Sequence, residues 1–235
     1  MSRFASYPPI LKYHRIGPTQ ADHVPTVSVT AFERQMRLIA RFGLRVISFN
    51  EIGDRLSRGE RVPPGHIAVT FDDGYDDTYT TAWPMLKRFG FPATVFITPG
   101  DIGKPGFLTW EQAAELAADG FGIGNHTMHH AYLPLVPEAR LAEELLESKR
   151  VIEAKIRRPI HTLSYPVGGF TRRVIEIASD HYAAACTTNR AFERNGLDRF
   201  ALRRVKITER DTNPLAFLVK VSGYYDAFRR LKQPG

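Results

Sequence analysis

The feature that most constrains the fold of this 235-residue chain is the regular alternation of short apolar runs with helical patterns. Runs rich in Val, Ile and Thr predict buried strands, whereas apolar residues spaced three or four apart predict amphipathic helices. The predicted strands lie near residues 10–14, 44–48, 67–71, 93–98, 121–123, 160–165, 182–187 and 202–207. Strands that alternate with helices form parallel sheets, so we expect an α/β fold, a β/α barrel of about seven or eight strands. A doubly wound open sheet is the alternative.

Several helices have clear sequence boundaries. Thr30 with Glu33, and Thr109 with Gln112, have the spacing of a capping box, in which two side chains satisfy the first free N–H groups of a helix. Residues 137–156 have the apolar periodicity of a long amphipathic helix, and a last helix is predicted from residue 214 to residue 231. These helices fall between the predicted strands or after the last one, as a β/α barrel requires.

The composition is typical of one globular domain, because 43% of the residues are hydrophobic and 24% are charged. No repeat or linker is visible, so we expect a single domain over residues 1–235. The only cysteine, Cys186, excludes an intramolecular disulfide and lies in a strand-like apolar run. Since signal-peptide and membrane-span patterns are absent, we expect the chain in the cytoplasm, or exported if a leader has been removed. The oligomeric state does not follow from the sequence.

The net charge of +7 raises the question of an anionic partner. Basic residues cluster at residues 203–204 and 228–232, but no nucleic-acid-binding motif or interleaved aromatic pattern accompanies them. The sequence therefore does not indicate nucleic-acid binding. A basic rim could still attract an anionic sugar substrate.

Two adjacent carboxylates, Asp72 and Asp73, end the apolar run at residues 67–71 and are followed by Gly74. Carboxylates this close repel each other unless a cation or a shared proton lies between them. Side chains adjacent on a strand point to opposite sides, so the two acids need different roles unless the chain turns. We therefore expect one acid on a metal ion and the other acting as a base. Capping of the following helix is the alternative.

Histidines cluster after another apolar run, at His126, His129 and His130. His126 and His130 are four residues apart, so on one turn of helix both imidazoles would hold the same cation. Two histidines and one carboxylate leave coordination positions open for water, which is typical of catalytic metal sites. The sequence predicts such a site where the acids and the histidines meet.

Three segments together resemble successive motifs of the NodB-homology polysaccharide deacetylases: residues 70–75, 126–130 and 165–169. The resemblance extends over residues 11–208 and implies a distorted or incomplete β/α barrel. It implies that Asp72 is the general base and that Asp73, His126 and His130 bind the metal, whereas His129 matches no ligand. The third motif lacks its usual arginine and instead has the form of the branch that resembles poly-N-acetylglucosamine deacetylases.

The expected chemistry is hydrolysis assisted by a divalent metal, most simply Zn²⁺, with Co²⁺ or Ni²⁺ as alternatives. The backbone N–H of Val167 would stabilise the tetrahedral oxyanion. The other expected substrate-binding residues are Tyr165, Pro166, Gly168 and Trp110. A tight turn at Gly168 and helix packing by Trp110 are the alternatives for those two residues.

The resemblance also assigns two further candidates. Arg204 would replace the missing arginine that steadies the catalytic aspartate, although a surface arginine at a strand entrance is the alternative. His14 follows Tyr13 at the end of the first strand, where the resembled branch carries a Tyr-His pair. We expect His14, as an imidazolium, to protonate the leaving amine.

These features together predict a metal-dependent enzyme that removes the N-acetyl group from a polymeric, lipid-linked or nucleotide-linked sugar. An O-acetyl esterase would use the same site. A metal-independent amidase would need a broken ligand set, and a non-catalytic carbohydrate-binding protein would lack a ligand or the base. All of those residues are present in the sequence.

Overall fold

A computed structural model describes residues 7–18, 24–188 and 198–222, and its centre is a ring of parallel strands. The ring runs in the order β1, β10, β9, β8, β7, β6, β5 and closes because β1 also pairs with β5. The strands of the ring are β1 (Ile10–Tyr13), β5 (His66–Phe71), β6 (Thr94–Ile97), β7 (Gly122–Asn125), β8 (Thr162–Ser164), β9 (Ala184–Thr187) and β10 (Leu202–Lys206).

Closure of the ring confirms the predicted β/α barrel, with seven strands, and removes the open-sheet alternative. An eighth parallel strand, β4 (Arg45–Ile47), pairs with the first half of β5, and β6 pairs with the second half. A separate two-stranded sheet of β2 (Arg15–Ile16) and β3 (Thr26–Val27) lies outside the sequence prediction, because two-residue strands carry no periodic signal.

Helices connect the strands, as the sequence predicts. They are α1 (Val29–Arg41), α2 (Phe49–Ser57), α3 (Trp83–Phe89), α4 (Trp110–Ala118), α5 (Glu138–Ala142), α6 (Ser148–Ile156), α7 (Arg172–His181) and α8 (Pro214–Val221). A π-helical turn (Thr78–Ala82) precedes α3, and another (Glu143–Glu147) joins α5 to α6. The predicted last helix continues to residue 231, but its part beyond residue 222 lies outside the described residues.

The two predicted capping boxes have different outcomes. The box at Thr109 is confirmed, since its side chain accepts from the Gln112 backbone while the Gln112 side chain accepts from Thr109 N–H. The box at Thr30 is wrong, because the N-cap of α1 lies two residues earlier, at Ser28, whose hydroxyl accepts from Ala31 N–H. Both serine and threonine cap helices well, so tertiary packing decided which residue begins α1.

The core has two parts, one inside the barrel and one between the barrel and the helices. Cys186 is a buried residue on β9, as its apolar neighbours predict. Tyr13 packs edge-on against Phe32 of α1 and stacks on Phe71, which fixes the end of β5 where the acids begin. None of the described helices has the length and apolar character needed to span a membrane.

Candidate active site

The candidate residues gather at one end of the barrel. Asp72 and Asp73 follow β5, His126 follows β7, and His14 follows β1. Because all strands of the ring are parallel, the residues after their carboxyl ends share one rim. Arg204, inside β10, reaches the same rim with its long side chain.

Asp72 is a buried carboxylate that Arg204 binds with both arms of its guanidinium. Nη1 and Nη2 each lie 2.6 Å from one Asp72 oxygen. Ser164 Oγ at 2.8 Å and Thr70 Oγ1 at 3.2 Å accept further hydrogen bonds from the same guanidinium and fix its plane. Burial alone would raise the pKa of Asp72, but Arg204, His126 and Lys12 outweigh it and hold that pKa well below its usual value. Asp72 is therefore ionised and oriented at neutral pH.

Lys12 is a site residue that the sequence analysis missed. Its Nζ lies 3.7 Å from Asp72 Oδ2, and its side chain is largely buried. Burial lowers the pKa of the Lys12 ammonium, although Asp72 opposes the effect. A lysine in a strand of buried apolar residues was the available signal, because such a charge requires a partner.

The chain turns sharply at Asp73, so the two adjacent acids do not point to opposite sides. Asp73 has φ of 73° and Gly74 has φ of 83°, both in the left-handed region that glycine tolerates best. His126 Nε2 consequently lies 3.4 Å from Asp73 Oδ1 and 3.9 Å from Asp72 Oδ2. The strand ends at Phe71, so the turn that the sequence left open is present and strand alternation does not apply to the two acids.

Asp73, His126 and His130 form a cluster of potential metal ligands. Asp73 Oδ1 lies 3.4 Å from His126 Nε2 and 3.3 Å from His130 Nε2. Two ligand atoms bound about 2.0–2.1 Å from one tetrahedral ion are separated by about 3.3–3.4 Å. Asp73 Oδ1 is buried and has no hydrogen-bond partner among the described residues. A buried carboxylate oxygen without a partner is costly, so this donor set fits a divalent cation.

The orientation of His126 suits metal binding. Its Nδ1 lies 2.7 Å from the carbonyl oxygen of Ser164, so Nδ1 carries the proton and donates to that oxygen. The other ring nitrogen, Nε2, faces Asp73 and is the atom that would bind a metal ion. His130 is more exposed than His126, and burial still lowers its pKa and favours the neutral form that binds metals.

A loop rather than a helix carries the two histidines. Residues 126–130 are non-helical, and Thr127 and His130 have φ of 66° and 54°. The predicted helical turn is therefore wrong, and the left-handed residues bring the two rings together, with centroids 4.9 Å apart. Asn125 Oδ1 accepts from Thr127 N–H, and the Asn125 amide donates to Leu145 O, Ser148 Oγ and Tyr182 Oη.

Glu144 stabilises the loop of residues 126–130. Its buried carboxylate accepts from the backbone N–H of His129 at 3.0 Å and lies 2.8 Å from His129 Nδ1. The glutamate belongs to the π-helical turn between α5 and α6. His129 therefore faces away from the ligand cluster, and Glu144 fixes the backbone next to His130.

The third motif contributes less exposed surface than the sequence predicts. Tyr165, Pro166 and Gly168 are buried, and the Tyr165 ring packs on Phe170. Direct substrate contact by the Tyr165 side chain is thus wrong, because the ring fills the core. Val167 has φ of 56° and is 72% exposed, so the turn places this residue in solvent.

The remaining two predicted residues have mixed outcomes. Trp110 begins α4, packs against the main apolar core and lies 5.9 Å from the Lys155 ammonium of α6, which agrees with the helix-packing alternative.

Burial lowers the pKa of His14 to about 4, although Asp72 and Asp73 act to raise it. The low pKa favours a neutral His14 ring at pH 7 in the metal-free protein, and the role of His14 as proton donor stays a prediction.

The fold and the site define a class of β/α barrel protein with a candidate metal centre beside an ion-paired carboxylate. The family model described as "Polysaccharide deacetylase" matches residues 59–185. YxkH of Bacillus subtilis, whose name assigns it to the polysaccharide deacetylases, is 30% identical over 201 residues, covering 85% of this chain and 71% of YxkH. The chain therefore belongs to the polysaccharide deacetylase family.

Two further relatives agree with this assignment. The poly-β-1,6-N-acetyl-D-glucosamine N-deacetylase of Staphylococcus aureus is 25% identical over 157 residues, covering 61% of this chain and 54% of that enzyme. The chain thus matches about half the length of the Staphylococcus aureus enzyme. The structure of the Streptococcus pyogenes deacetylase PplD in complex with acetate superposes with a TM-score of 0.82 and 25% identity, covering 91% of this chain and 97% of PplD.

Proposed function

We propose that this protein is a metal-dependent N-deacetylase that hydrolyses the acetamide group of an N-acetylated sugar. One observation carries the proposal. The buried Asp73 Oδ1, without a hydrogen bond among the described residues, faces two histidine nitrogens beside a second carboxylate that Arg204 already neutralises. Asp73 with the two histidines suits a cation. The pair of Asp72 and Arg204 suits a base that is held in place.

Asp73, His126 and His130 would hold the ion. Nitrogen and oxygen donors favour Zn²⁺, with Co²⁺ or Ni²⁺ as alternatives. When bound there, such an ion polarises the amide carbonyl and lowers the pKa of water. Ser164 supports this role of His126, because its carbonyl oxygen accepts from Nδ1 and so leaves Nε2 as the ring nitrogen that would bind the ion.

Asp72 is the proposed general base. Arg204 orients both of its oxygens, and its low pKa keeps it ionised and able to accept a proton over the neutral range. Water gives a proton to Asp72 as its oxygen attacks the amide carbon. The carbon becomes tetrahedral, and we assign the resulting oxyanion to the backbone N–H of Val167.

His14 is proposed to deliver the proton to the departing nitrogen. Because the ring is neutral before the reaction, the delivered proton has to originate from the attacking water. One His14 nitrogen donates its proton to the amine while the other accepts the proton from Asp72. The carbon–nitrogen bond breaks, and the free amine leaves together with acetic acid, which loses its remaining proton to water and becomes acetate, while Asp72 is ionised and His14 is neutral again.

The substrate class proposed is a glycan that contains N-acetylglucosamine. Support comes from the Staphylococcus aureus relative, whose name gives poly-β-1,6-N-acetyl-D-glucosamine as its substrate. It also comes from the rim of the barrel, where Val167 and His130 are exposed. A polymer can reach such a rim without entering a closed cavity.

Metal content and amine release test the proposal together. Purified protein would be analysed for bound metals and then assayed for free amine on oligomers of N-acetylglucosamine. Chelation is expected to abolish amine release, and Zn²⁺, Co²⁺ or Ni²⁺ is expected to restore it. Amine release that is unaffected by complete metal removal would contradict the proposal, as would release of acetate without free amine.

A further inference from the structure

Lys12 is a largely buried cation beside the proposed base, which another cation already binds. Its Nζ lies 3.7 Å from Asp72 Oδ2, whereas Arg204 donates to each oxygen of Asp72 at 2.6 Å. The guanidinium by itself pairs both oxygens and neutralises their charge. A second buried cation is costly in free energy, so the orientation of Asp72 does not account for Lys12.

The first strand directs Lys12 into the barrel. Side chains alternate along a strand, and Tyr13 faces the helices, where its ring packs on Phe32 of α1. Lys12 therefore faces the interior, on the same side as Ile10, which belongs to the core inside the barrel. The side chain of Lys12 is 13% exposed, and its ammonium approaches Asp72, which follows the end of β5. The ammonium thus lies at the rim where the candidate site is.

The ammonium lies beside the oxygen of Asp72 that faces the ligand cluster. Oδ2, which is 3.7 Å from Lys12 Nζ, also lies 3.9 Å from His126 Nε2. Oδ2 is therefore the oxygen placed to receive a proton from the attacking water. At 3.7 Å, Lys12 Nζ is beyond hydrogen-bond distance of Oδ2, so its N–H groups are not committed to Asp72. Polar groups separated by more than about 3.5 Å leave room for a bridging water.

The proposed reaction creates a negative charge next to this cation. When Asp72 takes a proton from the attacking water, the water oxygen becomes hydroxide-like and then bonds to the tetrahedral carbon. The carbonyl-derived oxygen is assigned to the Val167 N–H, whereas the water-derived oxygen forms beside Lys12. A fixed cation next to charge that develops in the transition state lowers the barrier, because a site that excludes water screens it little.

We propose that Lys12 is a further catalytic residue, whose ammonium donates a hydrogen bond to the water-derived oxygen during attack and to the same oxygen in the acetate product. This inference rests on the proposed deacetylase function and adds a residue to its machinery. Lys12 keeps its own protons throughout, so the path of the proton from water to Asp72 and on to His14 is unchanged. Asp72 favours the charged form of Lys12, against the effect of burial on the Lys12 pKa.

The first test compares turnover in matched lysine variants. Amine release from oligomers of N-acetylglucosamine would be measured for the metal-loaded unmodified protein, Lys12→Met, Lys12→Gln and Lys206→Met. Lys206 is the control, because it is the register partner of Lys12 on β10 and is exposed. Lys12→Met is expected to lower kcat by about 100-fold with KM unchanged, as for a donor that acts in the transition state. Lys206→Met is expected to match the unmodified protein.

Lys12→Gln keeps a polar head group at this position and serves as the second variant if Lys12→Met does not fold. Its amide still donates a hydrogen bond but carries no charge, so kcat is expected to fall by about 10-fold or more. Urea unfolding shows which variants are folded, and metal analysis is expected to find the same metal content in all of them.

Binding of acetate gives a readout that does not depend on turnover. Sodium acetate would be titrated into the same metal-loaded proteins and its binding followed by ligand-observed NMR. Lys12→Met is expected to weaken acetate binding by about 10-fold, because a hydrogen bond between two charged groups is lost. Lys206→Met is expected to keep the acetate affinity of the unmodified protein, since its charge lies in solvent.

Different failures identify different errors. If a folded Lys12 variant keeps the kcat of the unmodified protein, the inference is wrong and the deacetylase function stands. The same holds if acetate affinity is unchanged while kcat falls, if Lys206→Met loses as much as Lys12→Met, or if Lys12→Met loses the metal. If the unmodified, metal-loaded protein releases no amine, the proposed function is wrong and this inference falls with it.

Discussion

Two adjacent residues, Asp72 and Asp73, have opposite surroundings in this protein. Asp72 receives a bidentate guanidinium at 2.6 Å on each oxygen and a lysine ammonium at 3.7 Å. Asp73 presents a buried oxygen that has no hydrogen-bond partner among the described residues and faces Nε2 of His126 and of His130. The protein therefore neutralises one carboxylate with its own cations, and the other is the carboxylate that we propose as a metal ligand.

The difference shows how a change of backbone direction between Asp72 and Asp73 gives the two carboxylates different roles. Asp72 is still in an extended register that directs it to Arg204 on β10, whereas the left-handed φ of Asp73 directs it to the histidine loop. Breaking the buried pair between Asp72 and Arg204 would be costly, so Asp72 is the less favourable metal ligand of the two acids. The following predictions test this division, starting with the largest effect.

Exchange of each acid for its amide should have opposite effects on metal content. Asp73→Asn removes the anionic ligand and should lose the metal, whereas Asp72→Asn should retain it. Both variants should lose amine release by on the order of 10² to 10⁴-fold, because one lacks the ion and the other lacks the base. Metal analysis of the two purified variants gives the answer. Metal loss in Asp72→Asn with retention in Asp73→Asn would reverse the assignment.

Removal of Arg204 should destabilise the protein strongly. Arg204→Met leaves the Asp72 carboxylate buried without its main partner, which costs about 3–5 kcal/mol in the free energy of unfolding. In metal-free protein, Asp73→Asn should change the free energy of unfolding far less, because Asp73 Oδ1 accepts no hydrogen bond from the described residues. Urea unfolding in the presence of a chelator measures both. Arg203→Met, at the adjacent, less buried position of β10, is the control.

Equal losses of unfolding free energy in Arg204→Met and Arg203→Met would show that the ion pair with Asp72 contributes nothing specific.

The same unfolding experiment, repeated at low pH, tests the ionisation of Asp72. The pKa of Asp72 is lower in the folded protein than in the unfolded chain, so its contribution to stability is present above the unfolded value of 3.8 and declines as pH falls below that value. Asp72→Asn should lack this decline.

Glu144→Gln should weaken metal binding without touching a ligand. The carboxylate holds the backbone of His129, and a neutral amide holds it less firmly, so His130 is less well positioned. Loss of such an outer partner reduces metal affinity by about 10- to 100-fold. Competition with a chromogenic chelator measures the affinity. Glu143→Gln, on the exposed side of the same π-helical turn, should leave it unchanged.

His14 should contribute a pH-dependent term to the stability of the metal-free protein. Its pKa is about 4 in the folded protein against an ordinary value of 6.5, so the unfolded chain binds more protons between those values. The free energy of unfolding therefore rises with pH across this window, by up to about 1.4 kcal/mol per pH unit from this group. His14→Asn should reduce that slope in denaturant titrations from pH 4 to pH 7. An unchanged slope would mean that His14 is solvated in the folded protein.

The sequence by itself determined the architecture and the identity of the chemical groups. Alternation of apolar runs and helical patterns predicts the β/α barrel, and the position of Asp72, Asp73 and His126 after strands predicts their common rim. These features are local, because strand and helix periodicities repeat over a few residues. Arg204 was also identified, although a strand arginine by itself has a surface alternative.

Tertiary structure alone decided the geometry of the site. The sequence suggested a helical turn for residues 126–130, but the Asn125 hydrogen bonds to α6, Tyr182 and Leu145 hold a loop with left-handed residues instead. Burial of Tyr165 and the low pKa of His14 depend on which elements pack over them, and no local pattern encodes that. Lys12 was missed by the sequence analysis for the same reason, since Asp72, its partner in space, is distant in sequence.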